Sequence, residues 1–118
     1  MLTISLDEAY VFDILSILEV KCDIFTGEKY EISSKAHNFL KCEIVDQIGI
    51  ENFQKIINSL EYQNLKNANL ETFRMVDLAR ESNGLAKDVD AANYERYLCK
   101  KILQETFFEI SLTEVKNK

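Results

Sequence analysis

The chain has 118 residues and a mass of 13.7 kDa, and 47% of it is hydrophobic against 29% charged. That balance excludes a disordered polymer and fits one helical domain over 1–118, with 115–118 as a frayed tail. A net charge of −6 argues against phosphate-backbone binding, which needs clustered Lys and Arg, so no nucleic-acid partner is expected.

No apolar run approaches the roughly 20 residues of a membrane span. The opening MLTISLDEAY lacks the basic segment of a secretory signal, so no membrane and a cytoplasmic setting are expected. Cys22, Cys42 and Cys99 are widely spaced and form no C-x-x-C. They read as small hydrophobes in a reducing compartment. The chain has no proline and three glycines, a scarcity of helix breakers that points to long helices.

Ser5 and Glu8 have the spacing of a capping box, so the first helix is expected to open at Ser5 and run to about Phe25, with Gly27 as its left-handed stop. Helical periodicity puts Tyr10, Ile14, Leu18, Cys22 and Phe25 inward, widened by Val11, Leu15 and Ile17. Asp13, Ser16, Glu19 and Asp23 fall opposite, where Phe12 and Val20 stand among polar residues as a second contact surface. Residues 28–32 (EKYEI) alternate apolar and charged, the mark of a short extended segment.

Ser33 or Ser34 would cap a second helix with the stripe Ala36, Leu40, Ile44 and Ile48, supported by Phe39 and ending at Gly49. Phe53, Ile56, Ile57 and Leu60 then repeat at i, i+3, i+4 and i+7 in a third helix starting near Glu51. Beyond Leu60 the stripe shifts to Leu65, Ala68, Thr72, Val76 and Ala79, joined by Met75. One straight helix over 51–82 would be about 48 Å long at about 1.5 Å per residue, so a break is expected at 61–64. Asn83 and Gly84 would end the fourth helix and Asp88 or Asp90 cap the fifth, the two packing as an antiparallel hairpin. Near the C-terminus Phe108, Ile110 and Leu112 alternate with polar residues. The expectation is an all-α bundle of about five helices, either trimmed by a short β pair involving 29–32, 2–4 or 108–112 or with the C-terminal segment simply extending the fifth helix.

Chemistry-bearing motifs are sparse. The glycines are too scattered for a phosphate-cradling loop, and one histidine rules out H-E-x-x-H and paired Glu-x-x-His metal sites. His37 and Cys42 project about 140° apart on one helix, so they do not meet there as base and nucleophile. Asp13, Glu19 and Asp23, with Glu43 and Asp46, have spacings that suit a hard cation, but such a face is usually only solvated. No catalytic residue, metal or cofactor is assigned, and the chain reads as non-enzymatic.

Helix five carries the sharpest expectation. Ala92, Leu98, Cys99, Ile102, Leu103 and Thr106 define its inward face, and Glu95 falls inside that arc. A buried carboxylate needs a partner, with Arg80 first and Arg74 second. Tyr94, Tyr97, Lys100 and Lys101 point outward. Phe12 and Val20, with Leu70 and Leu78 on helix four, lie off the main stripes and form the candidate interface. The function these features suggest is a self-associating interaction module, most simply a homodimer. Two alternatives are a small-molecule-binding or enzymatic protein with a pocket between helices four and five around Glu95, and an acidic inhibitor of a nucleic-acid-binding protein.

Overall fold

The structure, a computed structural model, describes the backbone of residues 2, 4–80 and 86–108, and their side chains except at 78–80, 86 and 87. Five helices follow in order: α1 Glu8–Ile24, α2 Gly27–Ile48, α3 Ile50–Ile57, α4 Leu60–Arg80 and α5 Ala86–Phe107. The all-α bundle is as expected, and no strand occurs among the described residues. Residues 29–32 lie inside α2, because a lone alternating segment without a strand partner does better with local helical hydrogen bonds. Leu2, Ile4 and Phe108 are non-helical without forming strand, and 109–112, like the tail 115–118, lie outside the described residues.

Helix directions follow from cross-contacts. Phe12 and Glu19 both reach Tyr62, Asp13 and Ser16 reach Asn69, and Phe25 reaches Phe73, so α1 crosses α4 at an angle. Asp13 meets Arg96 and Ala9 meets Gln104, so α5 runs against α1. The closest pairing in the fold is α4 with α5, the antiparallel hairpin expected from their lengths. Helix α2 packs on α1 and α3, leaving its far side open.

Several boundaries differ from those expected, each for a local reason. Helix α1 begins after Asp7 and not at the exposed Ser5. The Ala9 N–H, one of the orphan amides of that first turn, donates to Gln104 Oε1 on α5 at 2.8 Å, so a distant side chain does the capping. Phe25 ends α1, and Gly27, at φ +64°, opens α2. Ser33 and Ser34 are consequently interior to α2. Gly49, at φ +87°, separates α2 from α3 as anticipated.

The break in the 51–82 stretch falls at Asn58–Ser59, where Ser59 Oγ accepts the Tyr62 N–H at 3.1 Å. A serine cap ends one helix and starts the next without glycine or proline. Asn83 and Gly84 lie outside the described residues, and Asp88 and Asp90 fall within α5 rather than before it.

The core gathers Ala9, Phe12, Leu15, Ile44, Phe53, Ile56, Tyr62, Leu65, Ala68, Cys99 and Leu103. At its centre the Phe12 ring lies 6.3 Å from Phe53, 6.2 Å from Tyr62 and 6.3 Å from Phe108. Helix α1 thus buries Ala9, Phe12, Asp13, Ser16 and Val20, spaced i, i+3, i+4, i+7 and i+11, together with Leu15, which was expected inward. That face is nearly opposite to the expected one, and Tyr10 and Ile14 are left exposed.

Candidate functional site

The rotation of α1 brings a carboxylate into the bundle. Asp13 is only 2% exposed, a burial that is unfavourable unless every oxygen is satisfied. Its Oδ1 accepts Asn69 Nδ2–H at 2.8 Å and Arg96 Nε–H at 3.2 Å, and its Oδ2 accepts Arg96 Nη2–H at 2.8 Å. Lys100 Nζ stands 3.7 Å from Oδ2. Ser16 closes the cluster: its hydroxyl donates to the Asp13 carbonyl at 2.8 Å and accepts the second Asn69 amide hydrogen at 2.6 Å. Side chains of α1, α4 and α5 are thereby tied at one point. The hydrogen bond to Asp13 holds the Arg96 guanidinium above its ordinary pKa, against the opposing effect of partial burial, so it stays cationic at any working pH.

A second cluster sits further along α1. Glu19 accepts the Tyr62 hydroxyl at 2.7 Å, and His37 Nε2 and Lys66 Nζ approach it at 3.4 and 3.5 Å. Lys66 also reaches Asp23 at 3.2 Å. Partial burial works against the Lys66 ammonium, but Asp23 and Glu19 more than offset it and its pKa rises.

Burial first, then the Glu19 charge and hydrogen bond, push the Tyr62 phenol far above its usual range. A raised folded-state pKa means that this stabilisation is intact below the unfolded phenol pKa and drains away above it. Wild-type stability should therefore fall above about pH 10, with Tyr62 contributing about 1.4 kcal/mol per pH unit. In Tyr62→Phe that slope should be shallower by this amount in urea titrations at stepped pH, and equal slopes would contradict the buried-phenol geometry.

The residues singled out from periodicity land elsewhere. Glu95 is exposed, so it needs no buried partner, and Arg74 is exposed as well. The Arg80 and Leu78 side chains lie outside the described residues. The inward face of α5 runs through Ala92, Arg96, Cys99, Lys100, Leu103 and Gln104, about 100° from Glu95. Arg96 is what the expected buried charge on α5 turns out to be, and its sign is reversed. Lys100, expected outward, leans onto Asp13, whereas Tyr94 and Tyr97 are indeed exposed and stack with centroids 6.3 Å apart. Ile102, expected inward, is exposed.

Phe12 and Val20 are core residues, not an interface, and Leu70 is half-buried. His37 meets Glu19, and burial pushes the Cys22 and Cys99 thiols up, which leaves them protonated near neutral pH. Asp13, Ser16 and Asn69 went unrecognised as a site. The available signal was D-x-x-S at i and i+3 on α1, with Arg96 and Lys100 at i and i+4 in phase with Ala92 and Leu103.

The open side of α2 is a different kind of feature. Ile32 and Phe39, seven residues apart on one helical face, are 62% and 61% exposed. Lys35 and Glu43, also exposed, flank Phe39 at four residues before and after. Phe39 further borders an apolar groove with Leu2, Ile4, Leu6, Leu40 and Ile48.

No described helix is long and apolar enough to cross a membrane. No family model matches the chain, and neither a curated protein nor a solved structure does.

Proposed function

We propose that the chain is a non-enzymatic interaction module that pairs with a second copy of itself through the outer face of α2. The observation that carries this reading is the pair Ile32 and Phe39, exposed on one face of a helix that packs on α1 and α3 among the described helices. Large apolar side chains left exposed on one helical face are a feature of contact surfaces.

A twofold, antiparallel pairing centred on Phe39 sets Phe39 against its symmetry mate. It also places Lys35 of each copy opposite Glu43 of the other, so the two flanks complement each other despite the net negative charge. The interface expected from sequence therefore moves from α1 and α4 to α2. A reducing cytoplasmic setting suits the free thiols of Cys22, Cys42 and Cys99. Support for an acidic inhibitor is weak, since Asp13, Glu19 and Asp23 are each engaged by cations of the chain itself.

Charge reversal tests the pairing. Lys35→Glu should weaken the dimer about tenfold in sedimentation velocity, because two attractive contacts become repulsive. The double variant Lys35→Glu/Glu43→Lys should restore it. A wild-type chain that stays monomeric at tens of micromolar, or a double variant no better than the single, would sink the proposal.

A further inference from the structure

Beside the Asp13 cluster, lined by residues of α1, α2, α4 and α5, lies a cleft of about 540 Å³, within the size range of small-molecule sites. One part of its wall is apolar, formed by Ile17, Ile24, Phe25, Phe73 and Val76, and the two phenylalanine rings meet edge to face at 6.1 Å. At its inner end stand Asn69, 5% exposed, and the half-buried Arg96.

Both inner residues carry hydrogen-bonding capacity that the cluster leaves unused. Asp13 grips Arg96 side-on, through Nε and Nη2. The end-on edge of the guanidinium, formed by Nη1 and the second Nη2 hydrogen, makes no hydrogen bond to a described residue. This is the edge that takes a carboxylate in bidentate fashion. Asn69 donates both amide hydrogens, to Asp13 and Ser16, and its Oδ1 accepts from no described residue. No described buried side-chain N or O atom lacks a partner, so that oxygen is not fully enclosed, and Asn69 lines the cleft.

The unused guanidinium edge selects an anionic group. Lys29, its ammonium 5.4 Å from the Phe25 ring centre, and Asp77 stand at the outer margin. Lys29 and Arg96 stand against Asp77 of the lining and Asp13 behind it, so the cleft carries none of the excess negative charge of a chain of net charge −6. Buried Asp13 fixes the guanidinium plane in advance, which reduces the entropy that a ligand must overcome.

We propose that this cleft binds a small apolar monocarboxylate, with its aromatic or branched body packed against the touching Phe25 and Phe73 rings and Ile17. Its carboxylate sits on the end-on edge of Arg96, and a neighbouring N–H or O–H donates to Asn69 Oδ1. An acid bearing a hydroxyl or amine beside the carboxylate and an apolar side chain has all three elements.

The test is an NMR titration of the full chain with 3-phenyllactate, read at the Arg96 Nε–H and the Asn69 side-chain amide. Both signals should shift at millimolar concentration. The uncharged 3-phenyllactamide should bind about tenfold more weakly, the loss expected for a charge-assisted pair. Val76→Trp, which fills the cleft from α4 and leaves the Asp13 cluster in place, should abolish the shifts. Should that variant fail to fold, Arg96→Lys, which keeps the charge but loses the planar edge, should weaken binding about tenfold instead. Absence of shifts at both sites, equal affinity for acid and amide, or undiminished binding in a folded variant would overturn the assignment.

Discussion

Arg96→Met should lower the unfolding free energy by about 3–5 kcal/mol, measured by urea denaturation near neutral pH. The loss comes from what stays behind. Asp13 remains buried and charged, with Asn69 and a Lys100 ammonium 3.7 Å away as its remaining partners. An intact ion pair of this kind is not a large net gain over apolar packing, whereas half of one is a severe defect. The double variant Asp13→Asn/Arg96→Met removes both charges and keeps an oxygen for the Asn69 amide. It should therefore be more stable than Arg96→Met alone. If the single variant loses less than about 1 kcal/mol, the cluster contributes no more than a surface pair, and its role in holding the three helices is wrong.

Phe12→Ala should cost about 3–5 kcal/mol, because it empties the centre of the core and breaks three aromatic contacts at once. A domain with a total stability of about 5–15 kcal/mol would be brought near its limit, so Phe12→Leu provides a milder member of the series. The same pair of measurements, stability and association state, distinguishes Phe12 from Phe39. A core residue moves the urea midpoint and leaves the association of the folded chain alone. An interface residue does the reverse. If Phe12→Ala proves stable but monomeric, the α1 face assigned here is the wrong one.

The helical class was legible because it rests on local properties. Few breakers, sustained periodicity over Phe53, Ile56 and Ile57, and Gly49 as a stop are all encoded within a turn or two of the residues concerned. Facing was harder. Helix α1 is apolar on nearly every side, with Tyr10 and Ile14 on one and Phe12 and Val20 on the other, so periodicity alone could not choose between them. The choice is made by groups 56 and 83 positions away, Asn69 and Arg96, which accept Asp13 into the interior.

On α5 the ambiguity was narrower and just as consequential. Glu95 and Arg96 are neighbours about 100° apart, and a broad stripe accommodates either. An arginine can line a core with its stem while its head finds a carboxylate, so the longer residue faces in. The cap supplied to Ala9 by Gln104 shows the same limit, since the Ser5 signal is local and the actual partner is 95 residues away.

The Asp13 cluster also bears on how the chain reaches its fold. Of the two sides that α1 can bury, one is wholly apolar and needs no partner, and it is the easier to hide early. The other carries a carboxylate and becomes favourable to bury only after Arg96 on α5 has docked. Arg96 thus works as a key that selects one facing of α1 over a competing collapsed state, and it couples the first helix to the fifth in a single all-or-none transition.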